Sequence, residues 1–387
     1  MKVTVLTNGF GKDRELIANG MDLYRLYMPY CRIDGAQIAS KHEVLNSPLD
    51  SDVYVINRAH PIELFTKIKE AGKKIVLDID DYWKIPTWHQ LHHKSIKGRI
   101  QHATSLKNDE AVRYFTHQLN EVSEWENQTK EVVKIVDAVT CSTETLARHI
   151  KNEYGIDATI VPNTIDPNIT KFSTNKQPSR FTRFGFIAGM YRERDAALMF
   201  NGVRSAYQNK HIRSKVQFVN SFNLHPSFTE VERMFTFNYT QLPDFYRDYL
   251  KSFVREGNHI GNQQFYKRLW AKDAIDYGVM YEEVDVALIP MEHGVFNSCK
   301  SELKLIEAGW TKCAAIVSNV LPYAPHLQHN VNALVCNDKE GWFTAILRLT
   351  NDKELRERLA NNLHDYVREH FNQNIAHEKV TQVLNTL

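Results

Sequence analysis

Short apolar runs alternate along the whole chain with longer segments in which apolar residues recur every three or four positions. The short runs, rich in Val, Ile, Leu and Phe, predict buried strands, and the 3.6-residue periodicity between them predicts amphipathic helices. In the first half the strands fall at 3–7, 53–57, 75–79, 138–141 and 159–161, with helices at 14–27, 62–71, 110–136 and 143–153. Residues 162–182 break the pattern: Pro162, Pro167 and Pro178 stand among many Asn, Ser, Thr and Lys, the composition of a surface linker. A second series then begins. Strands are expected at 184–188, 216–220, 284–289, 314–317 and 333–335, and helices from about 195 and at 301–308, 341–349 and 353–371. Residues 222–272 are aromatic and mostly helical by pattern, with no order that the pattern assigns.

Strand–helix alternation of this kind predicts an α/β fold with parallel sheets. The expected division is a Rossmann-like N-terminal domain at 1–165, a linker at 166–182, a Rossmann-like C-terminal domain at 183–370, and a tail at 371–387 free to pack back on the N-terminal domain. Both halves share one plan. Strand Val3–Thr7 precedes Asn8-Gly9-Phe10-Gly11, and the strand at 184–188 precedes Gly189-Met190-Tyr191-Arg192. Such domains bind ligands outside the carboxyl ends of their strands, so two of them face to face line one cleft.

Composition narrows the picture. A chain of 387 residues has room for two domains. Its 43 % hydrophobic and 24 % charged residues are ordinary for a globular protein, and a net charge of +2 names no polyanionic partner for the chain as a whole. Five scattered cysteines (Cys31, Cys141, Cys299, Cys313 and Cys336) form no C-x-x-C pair, which favours reduced thiols over disulfides or a zinc site. No run approaches the roughly 18 apolar residues of a membrane span. The N-terminus opens on a strand and lacks the basic and apolar regions of a signal peptide, so a cytoplasmic location without an integral membrane segment is expected.

The most informative stretch is Val284-Asp285-Val286-Ala287-Leu288-Ile289-Pro290, followed by Phe296-Asn297-Ser298-Cys299-Lys300-Ser301-Glu302-Leu303-Lys304-Leu305-Ile306-Glu307-Ala308-Gly309. A buried strand ends at a proline, a polar loop follows, and a helix is expected from near Ser301. Backbone N–H groups and a positive helix end then point above the sheet. Lys300 and Lys304 add cations and Glu307 adds a carboxylate two turns in, together the groups that a diphosphate and a ribose diol need. The plain alternative is an amphipathic helix with a solvated Lys/Glu face.

This stretch resembles the donor-binding signature of the retaining glycosyltransferase family 4 and its relatives. Cys313-Ala314-Ala315-Ile316-Val317-Ser318 resembles the strand that follows it there, and Ile160-Val161-Pro162-Asn163-Thr164-Ile165-Asp166 is similar to the family's interdomain segment. Ile75-Val76-Leu77-Asp78-Ile79-Asp80-Asp81-Tyr82-Trp83 resembles a motif of one subgroup. The resemblance implies a GT-B fold, two Rossmann-like domains facing across a cleft, and transfer of a sugar from a UDP-, GDP- or ADP-linked donor with retention of configuration. It implies that Glu307 binds the donor ribose and that Gly9, Gly11, Gly189, Ser301 and Glu302 lie on the donor. Arg192, Arg194, Lys300 and Lys304 then stabilise the leaving diphosphate, the electrostatic role on which such chemistry leans most. No cofactor or metal is implied. One departure is visible: the family's sugar-contacting glutamate, eight positions before the ribose glutamate, is Cys299 here.

The cluster Asp78-Ile79-Asp80-Asp81 also matches two other patterns, the metal-binding Asp-x-Asp of GT-A enzymes and the nucleophile loop of haloacid-dehalogenase phosphatases acting through Asp78 and Asp80. A phosphatase, or a non-catalytic nucleotide-sugar binding module, are the competing readings. Capping of the next segment by Asp80 and Asp81 is the bland one. Residues 82–108 contain no acid but hold Lys84, Lys94, Lys97, Arg99 and Lys107, with Trp83, Trp88, His92 and His93 among them. Adjacent histidines on a helix or strand point apart, so a metal pair is not expected. Asp80, Asp81, Trp83, Trp88, His92 and His93 are the expected acceptor-side residues. The expected acceptor is a hydroxyl of a glycan, lipid or small molecule, with duplex DNA carrying a hydroxymethylated base ranked second.

Overall fold

In the computed structural model of the protein, which describes residues 1–7, 19–58, 60–235 and 265–387, the strands assemble into two six-stranded, all-parallel sheets. Two compact units result. The first is Met1–Thr164 with Gly294–Ser301 and Phe371–Leu387, and the second is Ile165–His293 with Glu302–His370.

In the first unit β1 (Val3–Thr7), β2 (Ala36–Ser40), β3 (Val53–Asn57), β4 (Lys74–Ile79), β5 (Ala138–Cys141) and β6 (Thr159–Ile160) lie in the order β2-β1-β3-β4-β5-β6. Alternate residues serve opposite faces, as the two-residue period of a strand requires. Tyr54 and Ile56 enter one core with Ile75, Leu77 and Ile79, while Val53 and Val55 enter another with Val3, Val5 and Val76. The second core is closed by Ala376, Val380, Val383 and Leu384 of the C-terminal helix Gln373–Asn385. β2 has no counterpart in the sequence expectation. It is an edge strand of mostly half-buried residues, so its apolar signal is weak.

In the second unit β7 (Thr182–Phe186), β8 (Val216–Phe222), β9 (Tyr266–Trp270), β10 (Val286–Ile289), β11 (Ala314–Ser318) and β12 (Leu334–Cys336) lie in the order β12-β11-β10-β7-β8-β9. One core binds Phe184, Phe218, Val286 and Ile316 of the sheet to Met199 and Val203 of helix Glu193–Gln208 and to Trp342 and Ile346 of helix Lys339–Asn351. β9 falls inside the stretch that the pattern could not order. Its Arg268 looks like a surface residue in sequence but is buried on Glu232.

Three local expectations shift. Helix Leu303–Trp310 begins at Leu303 rather than near Ser301, and a separate short helix, Val295–Ser298, precedes it. Residues 93–105, read as part of a basic surface, form a helix capped by the His92 side chain. Of the helix expected at 14–27, residues 14–18 lie outside the described residues, and Asp22–Tyr27 is π-helical. No helix among the described residues is long and apolar enough to cross a membrane.

Candidate functional site

The carboxyl ends of β7, β10 and β11 in the second unit bring together the charged residues that the sequence singled out. Glu307 is the fifth of the eight residues of helix Leu303–Trp310 and is only 1 % exposed. Its Oε2 accepts from the Tyr281 hydroxyl at 2.7 Å and from Lys304 Nζ at 2.6 Å. Lys304 is one turn away on the same helix face, where i,i+3 partners meet, and also donates to the Tyr277 hydroxyl at 2.9 Å. Burial opposes the charge of Lys304, yet the adjacent Glu307 carboxylate outweighs it and raises the ammonium pKa. Burial and then Glu307 push the Tyr281 phenol well above its ordinary range, which keeps its hydroxyl a donor.

Arg192 enters from the loop after β7. Its guanidinium donates to Asp195 at 2.9 Å, and the other oxygen of Asp195 accepts from the Glu292 backbone N–H at 2.7 Å. Asp195 therefore ties this loop to the segment that follows β10. Tyr323 is buried where these groups converge. Burial raises its pKa, Arg192 pulls against that, and Asp195, Glu302 and Glu307 add to the rise. Glu302 precedes the helix as its cap residue, 7 % exposed, with one carboxylate oxygen 3.4 Å from His326 Nε2 and the other buried without a hydrogen-bond partner. The whole is a sunken cluster of fixed cations, carboxylates and phenols beside a helix N-terminus, suited to a ligand with both anionic and hydroxyl groups. Gly189 is exposed, and a side chain there meets nothing within 4 Å. Arg194 is 52 % exposed on its side chain and pairs with Glu292. Tyr277, Tyr281, Tyr323 and Asp195 carried no sequence signal beyond their residue type; only the fold places them here.

The remaining candidates lie in the first unit. Asp78 in β4 is 1 % exposed and gripped at both oxygens. Arg25 Nη2 donates to Oδ1 at 2.6 Å and Nε to Oδ2 at 3.1 Å, while Thr140 Oγ1 donates to Oδ1 at 2.8 Å. A nucleophile needs a carboxylate free at the strand end, so this geometry overturns the phosphatase reading through Asp78. Asp80, just past β4, accepts from Asn57 Nδ2 at 3.3 Å and lies 3.6 Å from Arg58 Nε. Burial opposes its charge, but Arg58 and Asn57 hold its carboxyl below the usual range. Asp81 pairs with Lys300 at 3.0 Å, and the Lys300 ammonium also lies 4.4 Å from the centre of the Phe296 ring. Ser301 Oγ accepts from Asn163 Nδ2 at 2.8 Å.

Trp83, expected on an acceptor-facing surface, is 3 % exposed and packs on Tyr82 and Tyr154 in the core. Trp88 is 39 % exposed and meets Phe296 edge-on. His92 is buried, accepting from the Lys94 N–H as a helix cap. Its extended backbone lets its ring meet that of exposed His93 at 4.0 Å, contrary to the expectation that the two point apart. Cys299 is fully buried in the core of the first unit, and burial pushes its thiol up to about 12. Gly9 and Gly11 lie outside the described residues. Among the described residues no three His, Cys, Asp or Glu side chains are grouped to hold a metal ion.

No protein-family model matches the chain, and no curated protein matches it in sequence. Solved structures do match it in fold. HepE of Anabaena, solved with UDP-glucose, has a TM-score of 0.59 at 11 % identity, with 100 % of each chain covered. Sucrose-phosphate synthase of Thermosynechococcus elongatus has a TM-score of 0.62 at 10 % identity, covering 100 % of this chain and 99 % of that one. TarM of S. aureus, solved with fondaparinux, α-GlcNAc-glycerol and UDP, has a TM-score of 0.53 at 12 % identity over 86 % of this chain, which spans 55 % of TarM. The chain has the fold of these proteins, GT-B, with two Rossmann-like domains.

Proposed function

We propose that this GT-B chain is a glycosyltransferase that takes its sugar from a nucleoside diphosphate, UDP before GDP or ADP, and passes it to a hydroxyl acceptor. The observation that carries the reading is Glu307: a carboxylate buried behind the N-terminus of the helix after β10, held by Tyr281 and Lys304. A ribose diol donates to such a carboxylate, and Lys304 and Arg192 stand beside it for the diphosphate. The ligands in the HepE and TarM structures, UDP-glucose and UDP, favour a UDP-linked donor.

In the proposed reaction the bond from the sugar anomeric carbon to the diphosphate oxygen breaks, and a bond to the acceptor oxygen forms on the same face. The acceptor proton passes to a diphosphate oxygen, so no strong protein base is required. Fixed cations stabilise the charge that develops on the leaving group without reorganising at that moment. All four cations are ion-paired, but Arg192 and Lys304 suit this role better because they belong to the cluster around Glu307, whereas Lys300 lies in the first unit on Asp81 and Arg194 is largely exposed on Glu292. A glycan, lipid or small hydroxyl compound is the favoured acceptor, ahead of hydroxymethylated DNA.

Two measurements test this. Calorimetric titration should show UDP binding to the wild type and about ten-fold weaker binding to Glu307→Gln, the cost of one charge-assisted hydrogen bond. Unchanged affinity in a folded variant removes Glu307 from the donor site. Hydrolysis of UDP-, GDP- and ADP-sugars should proceed in EDTA. Binding without any turnover points instead to a non-catalytic module, and strict dependence on added manganese points to a GT-A-like role for Asp80 and Asp81.

A further inference from the structure

Cys313 lies three residues past helix Leu303–Trp310 and is fully buried. Its S–H donates to the Val284 carbonyl at 3.3 Å, and Lys176 Nζ donates to the sulfur at 3.1 Å. Thr311 Oγ1 stands 3.4 Å from the same sulfur. Lys176 comes from 137 positions away, in the segment before β7, and both residues belong to the second unit. The thiol hydrogen is directed at Val284, so a sulfur lone pair faces the lysine nitrogen.

Lys176 is the unusual member of this contact. It is half-buried, its ammonium donates to the Tyr281 carbonyl at 3.0 Å and to the sulfur, and among the described residues it forms no ion pair. An ammonium that gives up water normally finds a carboxylate, because a neutral carbonyl and a weakly accepting thiol compensate its desolvation poorly. Lys304 and Lys300, by contrast, meet Glu307 and Asp81. An amine held against a thiol in this way is a pair of reactive groups already in contact.

We propose that Lys176 and Cys313 form an oxidative modification site, at which dioxygen joins the two side chains through one bridging oxygen, N–O–S. The lysine first sheds its ammonium proton to solvent. One N–H bond and the S–H bond then break, an N–O and an S–O bond form, and the second oxygen leaves as water with both hydrogens. Nitrogen and sulfur each lose two electrons, and dioxygen takes all four. Four thiols of a reductant return the amine, the thiol and water and are left as two disulfides. Dioxygen suits a buried thiol because it is small and uncharged, and the flexible stem of Lys176 takes up the small approach that the bridge needs. The bridge staples the segment before β7 to the end of the helix that carries Glu307. Closing so long a loop stabilises the unit chiefly by restricting the unfolded chain. This site stands independently of the glycosyltransferase reading.

The test uses the full chain, purified under nitrogen with reductant, then divided, with one half equilibrated with air. After denaturation in excess alkylating reagent, peptide mass spectrometry of the aerated half should find the peptides of Lys176 and Cys313 joined, with a gain of one oxygen and a loss of two hydrogens. Dithiothreitol should separate them. Cys141, Cys299 and Cys336, buried thiols that burial pushes up to about 12, have no lysine on the sulfur among the described residues and should be alkylated in both halves. Lys176→Met and Cys313→Ser should each abolish the joined pair. Lys176→Arg, which keeps a hydrogen-bond donor but no amine, should abolish it too. The aerated wild type should melt about 5 °C above the reduced half, and Lys176→Arg should melt alike in both. A Cys313 thiol that stays free in air, Cys313 oxidised with no lysine attached, or a joined pair that persists in Lys176→Met overturns the site. A joined sample that melts with the reduced one overturns the staple.

Discussion

Replacing Asp78 by alanine tests the central electrostatic feature of the first unit. Arg25 and Asp78 are 3 % and 1 % exposed on their side chains and meet in a two-pronged ion pair at 2.6 and 3.1 Å. Arg25 also donates to the Val161 carbonyl and, at 3.2 Å, to Asn163 Oδ1. Burial opposes the Arg25 charge, but Asp78 more than offsets it and raises the guanidinium pKa. Without Asp78 that buried cation keeps only two neutral hydrogen-bond acceptors and the weaker pull of Asp80. Breaking a buried pair from one side costs about 3–5 kcal/mol, and the lost Thr140 bond at 2.8 Å adds about 1 kcal/mol. Asp78→Ala should therefore lose about 4–6 kcal/mol. The double variant Arg25→Met with Asp78→Leu should recover most of this, because removing both charges leaves none unpaired. Hydrogen exchange of the β4 amides in a urea series reports this unit directly. A loss under about 1 kcal/mol in Asp78→Ala, or single losses that simply add in the double variant, refutes the argument. Undiminished stability in Asp78→Asn together with lost phosphate-ester hydrolysis returns Asp78 to the role of nucleophile.

Two further outcomes follow from buried groups. His60 is 1 % exposed, and burial, helped by the charge of Lys41, lowers its pKa to about 4. The unfolded chain takes up the proton first, near 6.5, so this stability is present above that pH and drains away as pH falls toward 4, by about 3 kcal/mol. His60→Gln should flatten the acid limb of a stability–pH curve between those values, and an unaltered limb discounts the buried neutral imidazole. Gly309 packs helix Leu303–Trp310 against helix Lys353–His370: an added Cβ comes within 2.5 Å of Val367 Cγ2 and 3.0 Å of the Leu363 carbonyl. Gly309→Ala should lose about 1–3 kcal/mol through overpacking and weaken UDP binding by displacing Glu307. An unchanged melting temperature shows that the two helices part freely.

Much of the fold was legible in the chain because parallel strands covered on both faces are written as unbroken apolar runs. Val3–Thr7, Val53–Asn57 and Ala138–Cys141 were readable to the residue for that reason. β2 and β9 were not: β2 is made of mostly half-buried residues and so has a weak apolar signal, and β9 hides a buried arginine whose partner is 36 positions away. Glu307 and Lys304 were legible as a pair because their spacing on one helix is a local property. Sequence also determined that Asp78, Asp80 and Asp81 stand together at a strand end. Only the tertiary structure decided that they differ: Asp78 is locked inward on Arg25, Asp80 sits at the rim by Arg58, and Asp81 reaches Lys300, 219 positions on. The same holds for Trp83, an exposed aromatic by its basic neighbours and a core residue in fact. Periodicity records which side of an element faces water. What a polar side chain meets there depends on residues brought from distant elements, and that meeting is settled by packing.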